Sequence, residues 1–142
     1  MLSWKKRPYA SFQRQEIDCV MKVVRVQLLN KKRDLAEKCS VADSFLSRLI
    51  GLIGTRSLEE GEGMLFPATN NVHLWWMSIP IDVVFLKEQG EERFSVTSIR
   101  SDLKPWKLLP VWDRQATHTL ELPAGCAEKA GLREGDGICI SW

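Results

Sequence analysis

The sequence is poor in the residue types and motifs that much enzyme chemistry requires. Its 142 residues include only two histidines, His73 and His118, and four cysteines with no C-x-x-C pair. A metal site built on three histidines is therefore excluded, as is a zinc or redox motif of paired cysteines. Phosphate-binding glycine loops and the G-x-S-x-G nucleophile elbow are also missing from the sequence. No apolar run approaches the ~20 residues that a membrane-spanning helix needs.

Positive charge is concentrated at the N-terminus. Residues 1–33 carry nine Lys and Arg, although the whole chain has a net charge of only +2. We expect residues 1–20 to form a disordered basic leader and residues 21–142 to form a single domain, with Met21 as an alternative start of translation. The basic start is not followed by an apolar segment, so it does not fit a secretory signal. The expected location is the cytoplasm, with the cysteines reduced.

Short runs of β-branched and apolar residues, separated by turn signals, recur along the rest of the chain. They predict strands at 21–29, 35–41, 64–66, 72–77, 81–86, 94–100, 116–122 and 138–142. Short helices are predicted at 44–54 and 124–130, and residues 102–114 are expected to form a long loop. The pattern predicts a mainly β (β-rich α+β) domain. We expect a single small antiparallel sandwich or distorted, jelly-roll-like barrel with two short helices.

An apolar, aromatic stretch that begins near His73 contains the first candidate site residues. If residues 72–77 are extended, His73, Trp75 and Met77 share one face, because side chains alternate along a strand. A histidine beside aromatic rings can bind a ligand or act as a general base. It can equally be a structural residue whose hydrogen bonds are satisfied. The sequence leaves both interpretations open.

Two acidic residues inside apolar strands complete the candidate pocket. Asp82 stands near the start of the run 81–86, where a buried carboxylate is costly unless it is hydrogen-bonded or paired. It either caps backbone N–H groups or faces a ligand. Glu121 alternates with Leu120 and Leu122, so it points either to solvent or into the same pocket as Asp82.

A thiol is a weaker candidate for chemistry. Cys126 lies in the first turn of the helix predicted at 124–130, where a helix N-terminus can lower a thiol pKa. A nucleophile also needs a base, and neither histidine is near Cys126 in the sequence. Catalysis by this thiol is therefore not favoured.

Six blocks of the chain carry a further pattern, in a fixed order and spacing. They are R-L-I-G-L-I-G-T-R at 48–56, G-M-L-F at 63–66, H-L-W-W-M-S-I-P-I-D-V-V-F-L at 73–86, L-K-P-W-K at 103–107, L-E-L-P-A-G at 120–125 and G-L-R-E-G-D at 131–136. Over residues 41–142 these blocks resemble a prokaryotic family catalogued as domain of unknown function 192. The chain departs from the family pattern at Ile53, where methionine is usual, and at Trp75-Trp76.

The resemblance implies a small, mainly β domain similar to a jelly roll or distorted barrel, and it implies no established biochemical role. The first hypothesis is therefore a small ligand-binding or accessory domain without catalysis or cofactor. Its pocket would be formed by His73, Trp75, Met77, Asp82 and Glu121, with a small molecule as partner and no metal. The first alternative is a small hydrolase or metal-assisted enzyme that uses His73, Asp82 and Glu121.

The second alternative is weak nucleic-acid binding through the basic N-terminus. It is the least favoured of the three hypotheses, because the basic residues form short clusters rather than one block. No membrane partner is expected.

Overall fold

Strands make up most of the described structure. The computed structural model describes residues 22–42, 58–72, 79–105 and 110–142. Its strands are β1 Lys22–Leu28, β2 Arg33–Val41, β3 Glu62–Pro67, β4 Asn71–Val72, β5 Ile81–Gly90, β6 Arg93–Leu103, β7 Val111–Trp112, β8 His118–Pro123 and β9 Gly137–Ser141. Within these ranges one helix occurs, α1, at Cys126–Ala130.

Seven of these strands close into a barrel in the order β1-β2-β3-β8-β5-β6-β9, with β9 paired back to β1. Neighbouring strands are antiparallel except β2 and β3, which run parallel with Cys39 opposite Gly63. A glycine suits this position because a Cβ there would lie 3.2 Å from the carbonyl oxygen of Glu121 and 3.3 Å from a methyl group of Leu122. The close approach lets β3 sit tightly between its neighbours.

Alternate residues of the strands point into the barrel and form the main core. On β5 and β8, for example, Val84 is paired with Leu120, and both are fully buried in this core together with Leu86 and Leu122. Burying one such aliphatic side chain contributes about 1.5–3 kcal/mol. The apolar run of β5 is buried at every position from Ile81 to Leu86, so its outer face is covered as well.

A two-stranded ribbon of β4 and β7 packs on the outer face of β5. Val72 of β4 is paired with Val111 of β7. Both side chains form a second buried cluster with Val83 and Phe85, which are the residues of β5 that alternate with the inward-pointing ones. The domain therefore has two apolar layers, one inside the barrel and one between the barrel and the ribbon.

Asp113 fixes this ribbon to the barrel. Its Oδ2 accepts hydrogen bonds from the hydroxyls of Thr97 at 2.7 Å and Ser98 at 2.6 Å, both on β6. Its Oδ1 accepts one from the backbone N–H of Gln115 at 2.9 Å. Partial burial raises the pKa of Asp113, but these hydrogen bonds outweigh it and hold the pKa below its usual value. Sequence reasoning missed this residue, because it lies in a segment that was expected to be a loop.

The helix α1 packs against the barrel through Ala127 and Ala130. It ends at Gly131, whose φ of 66° is the left-handed conformation typical of a helix C-cap, as the sequence predicts. Lys31, in the turn between β1 and β2, donates a hydrogen bond to the carbonyl of Ala130 at 3.2 Å. A cation at this end also complements the helix dipole.

The structure confirms the prediction of a mainly β barrel and differs from it in two details. The strands β2 and β3 pair in parallel. No local sequence pattern predicts this direction, because it depends on the path of the chain between the two strands. The segment 102–114, expected as a loop, contains the end of β6 and the whole of β7. A two-residue strand is too short to produce a periodic signal. The helix predicted at 44–54 lies outside the described residues.

Candidate functional site

The structure describes two of the five residues predicted to form the pocket. His73, Trp75 and Met77 lie outside the described residues. Asp82 lies on β5, and Glu121 lies on the neighbouring strand β8. Both side chains are buried, with exposed fractions of 0% for Asp82 and 4% for Glu121.

The two carboxyl groups point to opposite sides of the sheet. In the register of β5 and β8, Asp82 is opposite Leu122, and Val83 is opposite Glu121. Paired residues share a face, and successive residues alternate between faces. Asp82 therefore points to the inner side with Leu122, while Glu121 points to the outer side with Val83. The structure does not bring these two groups together.

Asp82 connects three parts of the fold through its carboxylate. Its Oδ1 accepts a hydrogen bond from the backbone N–H of Asp102 at 2.8 Å, at the end of β6. Its Oδ2 accepts one from the backbone N–H of Ala127 at 2.9 Å, in the first turn of α1. Charge-assisted hydrogen bonds of this kind offset the cost of burying the carboxylate. Of the two sequence interpretations, the structure thus confirms that Asp82 caps backbone N–H groups.

One oxygen of Glu121 lacks such a partner among the described residues. Its Oε1 is buried without a hydrogen bond to any residue of the described chain. The residues paired with it on either side, Met64 on β3 and Val83 on β5, are apolar and buried. Thr119, the preceding residue on this face, donates its hydroxyl to the carbonyl of Thr69 at 2.7 Å. Glu121 therefore does not point to solvent, which was one of the two interpretations of the sequence.

This environment changes the charge of Glu121. Burial raises the pKa of its carboxyl from the usual 4.5 to about 8. At neutral pH the group is therefore mainly protonated, and a protonated carboxyl can donate one hydrogen bond as well as accept others. Such a group can bind a ligand carbonyl through its proton, or release the proton when a cation binds beside it.

The segment 73–78, which contains three of the predicted pocket residues, is flanked by described residues that lie on the face of Glu121. Val72 precedes this segment and Ile79 follows it. Both pack in the outer cluster that contains Val83, the residue paired with Glu121. The chain on both sides of 73–78 is thus held against the same outer face of the barrel.

Neither a metal centre nor a reactive thiol is found in the described ranges. No group of three or more His, Cys, Asp and Glu side chains there could hold a metal ion. Cys39, Cys126 and Cys139 are free thiols. Burial, with the nearby carboxylates of Asp82 and Glu60, raises the pKa of Cys126. Its thiol therefore lacks the lowered pKa of a catalytic nucleophile.

Comparison with known proteins places the chain in a family. A family model described as DUF192, Uncharacterized ACR, matches residues 26–140. A solved structure of a proposed transcription regulator from Sinorhizobium meliloti has a TM-score of 0.69 and 21% identity, over 85% of this chain and 94% of that one. A protein of unknown function from Novosphingobium aromaticivorans has a TM-score of 0.67 and 22% identity, over 86% of this chain and 85% of that one. No curated protein matches the chain significantly.

These findings show family and fold. At these low sequence identities, the similarity to the two solved structures shows a shared barrel fold. It says nothing about the activity of this chain. No helix among the described residues is long and apolar enough to cross a membrane. The family match includes both β5 and β8, so Asp82 and Glu121 lie within the domain that defines the family. The chain therefore belongs to the DUF192 family, the domain of unknown function 192.

Proposed function

We propose that this chain is a small-molecule-binding domain without catalysis of its own, and that Glu121 is the polar group of its binding site. The observation that carries the proposal is the buried Oε1 of Glu121, which has no hydrogen-bond partner in the described chain. Leaving such an atom unpaired costs about 1–3 kcal/mol, and folded proteins contain few of them. A ligand that hydrogen-bonds Glu121 would remove this cost on binding.

The proposed site extends from Glu121 towards the segment 73–78, where the sequence predicts His73, Trp75 and Met77 on one face. Sites for small molecules are mostly apolar and aromatic, with a few polar groups that orient the ligand. A protonated Glu121 beside Met64 and the predicted aromatic residues fits this description. The predicted residues are part of the proposal because the described chain on both sides of them packs on the face of Glu121.

Binding is favoured over catalysis by the separation of the two acids. Asp82 and Glu121 lie on opposite sides of the sheet, so they cannot share one metal ion or act together as an acid and a base. Both oxygens of Asp82 are occupied by backbone N–H groups. Of the two acids, Glu121 alone therefore faces the proposed site.

A ligand screen tests the proposal. Ligand-observed NMR would compare fragments with carbonyl, amide or amine groups for binding to the full chain and to two variants, Glu121→Met and Glu128→Met. Glu128 is exposed on α1 and serves as the matched control. We expect fragments that bind the wild type and Glu128→Met but bind Glu121→Met at least about tenfold more weakly, which corresponds to about 1.4 kcal/mol. Fragments that bind all three proteins equally, or no binding to the wild type, would contradict the proposal.

A further inference from the structure

A pocket lies between α1 and the start of β2, apart from Glu121. Its volume is about 220 Å³, which is space for roughly seven water molecules at ~30 Å³ each. Part of its wall is apolar and is formed by Leu35, Ala130 and the thiol-bearing Cys126. A cavity of this size with an apolar wall can take a small organic molecule but not a large cofactor.

Five charged residues complete the lining, and two of them neutralise each other. Lys129 of α1 donates a hydrogen bond to Glu60 at 2.8 Å, where Glu60 precedes β3. This pair links two walls of the pocket. Together the two side chains add no net charge to the lining.

A third charged residue, Asp34, has one carboxylate oxygen engaged, but by a neutral group that does not balance its charge. Its Oδ1 accepts a hydrogen bond from the side-chain amide of Gln27 at 2.8 Å. The other two charged residues, Arg33 and Glu37, are both exposed on β2. The guanidinium of Arg33 makes one long hydrogen bond of 3.4 Å to the carbonyl of Lys129. Glu37 has no hydrogen bond or ion pair with another residue of the described chain.

Beside the Lys129–Glu60 pair, the pocket therefore offers one cation, Arg33, two carboxylates, Glu37 and Asp34, and an apolar wall. A simple anion would be attracted by Arg33 but repelled by the carboxylate of Glu37. A simple cation would be attracted by Glu37 but repelled by Arg33. A molecule that carries both charges satisfies both residues. A guanidinium is also the side chain best suited to a carboxylate, which it can bind through two parallel hydrogen bonds.

We propose that this pocket binds a small apolar α-amino acid as its zwitterion, with the carboxylate on Arg33, the ammonium group on Glu37 and the side chain against Leu35 and Ala130. The site is independent of Glu121, because the pocket shares no lining residue with the outer face of β8. The domain would then hold two separate small-molecule sites.

The first test is an NMR titration of the full chain with L-alanine, L-valine and L-leucine, each to about 10 mM, where even a ligand with a Kd near 1 mM occupies most sites. We expect backbone amide shifts at Leu35, Gly61 and Ala130, which line the pocket. The tightest of the three is then replaced by its amide, which lacks the carboxylate, and by the matching carboxylic acid, which lacks the amine. Both analogues should bind at least about tenfold more weakly. The proposal is overturned if no amino acid shifts the lining residues, or if either analogue binds as well as its parent.

The second test uses exposed residues, so that the variants remain folded. Arg33→Gln and Glu37→Gln should each weaken amino-acid binding at least about tenfold, since each removes one of the two charges that the zwitterion contacts. Arg93→Gln, an exposed arginine on β6, is the matched control and should bind as the wild type does. Equal loss in Arg33→Gln and Arg93→Gln would mean that only the overall charge matters, and this would also overturn the proposal.

Discussion

Asp82 and Glu121 are buried acids on adjacent strands, and the fold surrounds them in opposite ways. Each oxygen of Asp82 receives a backbone N–H group, from Asp102 and from Ala127. Glu121 keeps one oxygen without a partner in the described chain. Burial alone therefore does not reveal what an acidic residue does. What distinguishes a structural acid from a candidate binding group is whether the chain itself completes its hydrogen bonds.

The largest expected effect is on the side of Asp82. Asp82→Ala removes two charge-assisted hydrogen bonds and leaves two backbone N–H groups without their acceptor. We expect the free energy of unfolding to fall by about 3–4 kcal/mol, measured by urea unfolding. Asp102→Asn is the control, because the side chain of Asp102 is exposed and its backbone N–H is retained. That variant should stay within about 0.5 kcal/mol of the wild type. A loss below about 1 kcal/mol in Asp82→Ala would remove the contrast between the two acids.

The second effect is a pH dependence that comes from Glu121. Its pKa is about 8 in the folded protein against a usual 4.5, so the folded state binds this proton more tightly than the unfolded chain does. The resulting stability is complete below pH 4.5 and is lost as the pH rises through about 8. Between about pH 6 and pH 7.5, Glu121→Gln should gain about 2 kcal/mol relative to the wild type, at up to about 1.4 kcal/mol per pH unit.

Unfolding free energies of wild type and Glu121→Gln at these two pH values measure this gain. A difference that does not change with pH would mean that Glu121 titrates near its usual pKa, and hence that it has a partner when folded. The comparison with Asp82 would then lose its electrostatic basis.

The smallest effect concerns stability at neutral pH. Glu121→Met keeps the length of the side chain and removes the unpaired oxygen, so the variant should be more stable than the wild type by about 1 kcal/mol. The melting temperature measured by calorimetry should rise accordingly, while Glu128→Met should leave it nearly unchanged. A gain in stability together with lost ligand binding is the usual mark of a residue kept for function. A loss of more than about 1 kcal/mol would instead make Glu121 a structural residue.

The sequence left two roles open for Asp82, capping backbone N–H groups or facing a ligand, and the structure shows the first. A carboxylate at the start of an apolar strand must find hydrogen bonds, and this follows from the residue and its immediate neighbours alone. The same local reasoning predicted most strands and the Gly131 cap of α1, because periodicity and capping are properties of short segments. The structure has strands in these runs where it describes them, with ends that differ by a few residues, and Gly131 caps α1.

The surroundings of Glu121 could not be predicted in this way. Thr119 and Glu121 alternate with leucines, which is the usual pattern of a strand with one face in solvent. Both are buried instead, beside an outer layer that includes the ribbon of β4 and β7. The pocket between α1 and β2 was missed for a related reason. Its walls come from segments far apart in the chain, such as Arg33 and Lys129, which are 96 residues apart.

The closure of the barrel by β1 and β9 has a consequence for the order of folding. Of the described strands, β9 leaves the ribosome last, yet it pairs with both β1 and β6. Until Gly137–Ser141 is available, the sheet stays open, and the edges of β1 and β6 expose unpaired backbone groups that can recruit other chains. A nascent or truncated chain without β9 should therefore aggregate rather than simply be less stable. Protection from misassembly in this domain depends on its final strand.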